Sequence, residues 1–158
     1  MGFFSFLFRR PIFIGDAVFG RLRQEDADKQ TGKAWFITED LVFPPTGYAI
    51  SCDIDATADG PSSAQQAFYQ HIEQNYNKLT ASLIPIIEDG FRNWEFPHRI
   101  QDFATEFQLL GLSIPEIDPQ CTSPVEWYWS FDTVHDANHM LTIYMSGDTP
   151  LPGVQFDG

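Results

Sequence analysis

One stretch of helical period interrupts a chain otherwise patterned in twos, and this arrangement limits the fold more than any other feature. Successive side chains of a strand point to opposite faces, whereas a helix returns to the same face every three or four residues. Tyr48, Ile50, Cys52 and Ile54 alternate with Ala49, Ser51, Asp53 and Asp55. From Glu126 to Asp132, Trp127, Trp129 and Phe131 oppose Tyr128 and Ser130. From His139 to Ser146, Met140, Thr142 and Tyr144 oppose Leu141, Ile143 and Met145. Between these regions Phe68, Ile72, Tyr76 and Leu79 recur at spacings of four, four and three, which places them on one helix face. Strands, then helix, then strands predicts an α+β fold. The expected architecture is a mostly antiparallel sheet of about six or seven strands, with one long or kinked helical region packed on one face.

The remaining segments fit that plan. Ala17 to Arg23 alternates and reads as a strand, Gln24 to Lys33 as a turn or hairpin loop, and Ala34 to Thr38 as the returning strand. Pro44, Pro45 and Gly47 break the chain before the Tyr48 strand. Gly60-Pro61-Ser62-Ser63 supplies a turn and a helix cap, with Gln66 three residues after Ser63 as in a capping box. Gln65, Gln70, Glu73 and Asn77 fall on the outer face. Leu83, Ile84, Ile86, Ile87 and Phe91 continue the helical period, and Pro85, which has no amide hydrogen, predicts a break or kink near Thr80 to Leu83. A short helix from Arg99, a strand interrupted by Gly111 and Pro115, and a last strand at Val154 to Phe156 complete the reading.

A chain of 158 residues is expected to form a single domain, residues 1–158, with residues 1–11 as an apolar N-terminal arm. Phe3, Phe4, Phe6, Leu7 and Phe8 form a run closed by Arg9, Arg10 and Pro11. The run is far shorter than the roughly 20 residues of a membrane span, so it is expected to pack back on the domain, with a partner or self-association patch and a weak membrane-surface anchor as the alternatives. Acidic residues number 22 against 9 basic ones, a net charge of −13. Binding a nucleic-acid backbone needs clustered Lys and Arg, so this balance argues against it and allows a basic protein partner or simple solubility. Cys52 and Cys121 are too few for a disulfide framework, which suits a reducing cytoplasm.

Candidate chemistry is sparse. His135-Asp136-x-x-His139 has the spacing with which two imidazoles grip zinc on a helix, but the local pattern is strand, loop and strand, where the spacing loses that geometry. Asp53, Asp55 and Asp59 begin like a calcium loop, yet Gln66 stands where a closing carboxylate is needed. No nucleophile elbow, phosphate loop or dinucleotide fingerprint is present, so neither cofactor nor metal is expected. Two acidic loops beside aromatic residues are the partner-binding candidates. They are Glu39 and Asp40, near Phe36 and Phe43, and Asp132 and Asp136, near Trp129 and Phe131.

Three short stretches carry a resemblance. These are Asp16 to Leu22 with Trp35 downstream, Asp53-Ile54-Asp55-Ala56 with Asp59-Gly60-Pro61-Ser62, Gln65 and Phe68, and the end Val154 to Gly158. Together they resemble small bacterial cytoplasmic proteins that form domains of unknown function, some relatives of which act as immunity proteins beside secreted toxins. The resemblance implies no catalytic residue. With the charge, it leads to the expectation of a non-enzymatic cytoplasmic binding protein, an acidic immunity protein that neutralises a basic toxin. The alternatives are a metal-dependent hydrolase using His135, Asp136 and His139, and a structural or assembly protein associating through Phe3 to Phe8.

Overall fold

Asp16 sets the first turn. Its carboxylate accepts the backbone N–H groups of Val18 and Phe19, both at 2.8 Å, and Gly20 follows at φ +71°, a conformation that disfavours any side chain. The expected strand at Ala17 to Arg23 therefore starts only at Gly20, and Ala17 to Phe19 form a turn between β1 (Ile12–Asp16) and β2 (Gly20–Ala27). The structure, a computed structural model, describes residues 11–95 and 97–158. The apolar run at Phe3 to Phe8 lies outside the described residues.

Next come β3 (Lys33–Glu39), β4 (Leu41–Phe43) and β5 (Tyr48–Thr57). Helix α1 (Ser63–Gly90) and the single turn α2 (Phe103–Glu106) separate them from β6 (Phe107–Ile114), β7 (Glu126–Thr133), β8 (Asp136–Ser146), β9 (Thr149–Pro150) and β10 (Gln155–Asp157). All ten strands join one sheet, in the order β1-β2-β3-β5-β6-β7-β8-β10, with β4 beside β5 and β9 beside β8. The fold is α+β and mostly antiparallel, as expected, but among the described residues ten strands replace six or seven. The additional ones are short, or split off by tight turns that two-residue patterning does not mark. The pairing of β5 with β6 is parallel. It requires a crossover, and α1 makes it.

The cap of α1 sits one residue earlier than expected. Ser62 Oγ accepts from the Gln65 N–H, and Gln65 Oε1 accepts from the Ser62 N–H, so Gln65 completes the capping box instead of Gln66. Gln65 was expected on the outer face and is instead buried. Its Nε2 donates to the carbonyl oxygens of Asp55 at 2.6 Å and Pro115 at 2.9 Å, clamping the helix start to the ends of β5 and β6.

The expected break at Thr80 to Leu83 does not occur; α1 runs unbroken through Pro85. Pro85 and Ala81, whose carbonyl loses its partner, are both exposed, so the gap in the helix ladder falls on the side open to solvent. Leu79, Leu83 and Ile87 on the opposite side are buried and hold the helix to the sheet. The core lies between α1 and one sheet face. There Tyr69 meets Phe19 and Phe43, Tyr76 meets Trp129, and Phe68 meets Trp127, with ring centroids 5.0–6.2 Å apart. Among the described residues no helix is long and apolar enough to cross a membrane.

Candidate partner-binding face

Because α1 covers one side of the sheet, the strand residues of opposite phase form a second side that no described element covers. On β3, Ala34, Phe36 and Thr38 point to the helix and are buried, whereas Lys33, Trp35 and Ile37 point away. Cross-strand register extends this open side. Ile37 pairs with Asp53, Trp35 with Asp55, Asp26 with Trp35 and Tyr128 with Tyr144, while Ser130 and Thr142, paired in the same phase, are buried. Residues directly opposite one another share a face, with Cβ atoms about 5 Å apart. The open side therefore carries Trp35, Tyr128 and Tyr144 together with Asp26, Asp53 and Asp55. Trp35 is 41% and Tyr144 46% exposed.

Arg21, Arg23 and Lys33 on this side are already matched. Arg21 and Arg23 face Glu39 at 3.6 and 4.0 Å, Arg23 also meets Glu25, and Lys33 meets Glu116 at 2.8 Å. The Arg21 guanidinium lies 3.9 Å over the Phe13 ring. Tyr128 Oη donates to Asp53 Oδ2 at 3.3 Å. Burial raises the Asp53 pKa, the neighbouring Asp55 charge adds to the rise, and the Tyr128 hydrogen bond opposes it. Two shallow hollows mark the surface. One, of about 630 Å³, is lined by Asp26, Asp28, Lys33, Trp35, Asp55 and Glu116 among others. The other, of about 430 Å³, lies over Asp53, Gly111, Tyr128, Met140, Tyr144 and Asp157. Gly111 is required beneath the second, since a Cβ there would sit 2.5 Å from the Ser51 carbonyl oxygen.

The four acidic residues singled out from sequence lie outside both hollows, toward the end of the sheet where β5 and β6 begin. Glu39 is engaged by Arg21 and Arg23. Asp40 turns the corner between β3 and β4 at φ +58°. Asp132 is exposed on β7 and lines a hollow with Tyr48 and Val134. Asp136 accepts from the Asn138 N–H at 2.9 Å and from His139 Nδ1 at 2.6 Å, bonds that hold its pKa below the usual aspartate value. Its carboxylate has a local structural role, so of the four only Asp40 and Asp132 present carboxylates without a described side-chain partner.

His135 and His139 bond different carboxylates. His135 Nε2 lies 2.6 Å from Glu106 Oε2, and its ring stacks on His98 with centroids 4.4 Å apart, beside Phe91 and Phe107. Glu106 also accepts the backbone N–H groups of Gln101 and Asp102 at 2.6 Å each. The described residues contain no group of three or more His, Cys, Asp or Glu side chains placed to hold a metal ion. His71 bonds Asp148 at 2.7 Å on the surface. Cys52 is buried, which pushes its thiol pKa up, and Cys121 is exposed and free.

Trp35, Asp26 and Asp55 were not recognised from sequence as a group. The signal was present in phase: Trp35 is out of step with its buried neighbours Ala34 and Phe36, so a large aromatic had to face the uncovered side. Comparison with protein-family models, with curated proteins and with solved structures finds no match to this chain.

Proposed function

We propose that this chain is a non-enzymatic cytoplasmic binding protein that captures a basic protein, in the manner of an immunity protein covering a basic toxin. The observation that carries this reading is the open sheet side, where Trp35, Tyr128 and Tyr144 alternate with Asp26, Asp53 and Asp55 while Arg21, Arg23 and Lys33 are already matched by carboxylates. Exposed Trp and Tyr supply most of the binding energy in typical interfaces, and unmatched carboxylates steer a cationic partner. The net charge of −13 extends that attraction beyond the contact surface. Asp40 and Asp132 add negative potential at the end of the sheet but no contact aromatic of comparable exposure.

A panel of small cationic and anionic proteins of matched size tests the reading by surface-based kinetics. Cationic members should associate with the full chain at low salt and lose association rate as salt rises, while anionic members stay inert. Equal signals for both classes, or none for the cationic class at low salt, would remove the basic-partner reading.

A second reading, self-assembly, is favoured by β1. Among the described residues β1 has a strand on one side only, lacks Lys, Pro and bulges, and exposes Ile12 and Phe13. Its measure is the mass of the full chain in solution, with dimers or larger species expected.

A further inference from the structure

We propose that the cleft around Trp35 is a seat for an arginine side chain of the basic partner. This rests on the basic-partner reading and narrows it to one residue type at one place. Three adjacent strands present Asp26, Trp35 and Asp55 side by side on the open face, fixed by the register of β2, β3 and β5. The indole is 41% exposed and stands between two carboxylates. The cleft they line holds about 630 Å³, enough for a long side chain, and its remaining charged rim is Asp28, Glu116 and Lys33. Lys33 is held by Glu116 at 2.8 Å, and among the described residues no salt bridge reaches Asp26 or Asp55.

A guanidinium suits this arrangement better than an ammonium. Its plane stacks on an indole face, and its five N–H donors reach carboxylates on either side at once. An ammonium is a strongly hydrated point charge and satisfies one of these demands at a time. The floor is rigid because Gln65 clamps the backbone of Asp55 to α1 and to Pro115. Gln24 and Asp26 flank a bulge in β2 that brings Asp26 into register with Trp35.

The test titrates the full chain with hexa-arginine, hexa-lysine and hexa-citrulline peptides, following the indole N–H signal of Trp35 by NMR. That signal is assigned by its loss in Trp35→Phe. Hexa-arginine should shift it saturably and bind more tightly than hexa-lysine, and hexa-citrulline should leave it in place. Trp35→Ala should weaken hexa-arginine binding about two- to fivefold. Asp26→Asn with Asp55→Asn should weaken it about tenfold. Asp40→Asn with Asp132→Asn, at the other end of the sheet, should leave it nearly unchanged. Far-UV circular dichroism verifies that each variant keeps its fold, and the substitutions are on exposed positions.

Equal affinity for the arginine and lysine peptides would overturn the arginine seat. So would saturable shifts confined to residues away from Trp35, an outcome that leaves the basic-partner reading standing. Absence of any saturable shift with either cationic peptide at low salt would remove both.

Discussion

Gln65 and Glu106 show how far a residue's role can depart from its polarity. Read locally, Gln65 belongs with the other polar residues of α1 on the outer face. Its burial depends on the carbonyls of Asp55 and Pro115, 10 and 50 residues away, and no local pattern reveals such partners. Glu106 likewise gathers two backbone N–H groups and His135 around one carboxylate. The Asp102 backbone bond is the largest cause that holds its pKa below the usual glutamate value; burial opposes it, and the His135 contact and the Gln101 backbone bond add to the lowering. A depressed carboxylate adds stability that is complete above its unfolded pKa and is lost as pH falls through its folded pKa. Glu106→Gln should therefore cost about 1–3 kcal/mol at pH 7. The gap to the parent should close as pH drops below about 4, the ordinary glutamate range. Urea titrations across pH measure this; a gap that stays constant with pH would show that the carboxylate charge is not what holds this corner. By contrast, the buried Cys52 and the inward Trp127, Trp129 and Phe131 were readable directly, because alternation alone decides which face they take.

At the level of elements, strands with clean alternation were legible and boundaries set by single side chains were not. The Tyr48 strand, the hairpin of β7 and β8 and the last strand appear where patterning placed them. The β1–β2 turn was hidden because Asp16 makes it with a side chain, inside a run that still alternates. Pro85 illustrates the opposite error. Its chemistry does remove a hydrogen bond, but its position on the solvent side of α1 lets the helix continue, and the outer position is a matter of phase that the apolar set around Leu83 and Ile87 already contained. Pro85→Ala restores the missing donor in place. It should stabilise the protein by about 1–3 kcal/mol, less than the full helix penalty of proline because the unfolded chain also gains freedom. Thermal unfolding followed at 222 nm gives the number, and a loss of stability would mean that α1 needs the curvature that proline imposes.

For the whole molecule, the α+β class and the one-sided helix followed from the order of periods along the chain, while the candidate site did not. Acidic loops draw attention in a sequence because their charges are contiguous. Asp26, Trp35 and Asp55 become neighbours only when β2, β3 and β5 are laid side by side, so their grouping is a property of register. The same sheet holds one contact of a different kind. Strands β1 to β5 are linked by short turns, β7 and β8 by a tight one, and β6 and β7 by the loop of residues 115–125, but β5 meets β6 in parallel, with Ser51 against Gly111, 60 residues on. Hairpins close in microseconds, whereas a pairing that waits for a helical crossover must bear the entropy of a long loop first. Each flank can thus acquire its local pairings early, and the rate of folding is governed by the closing of the central seam. Gly111→Ala places a methyl group against the Ser51 carbonyl oxygen at that seam. In stopped-flow experiments it should slow refolding more than it speeds unfolding. If the change fell on the unfolding limb alone, the seam would close after the barrier, and one of the two flanks would set the pace.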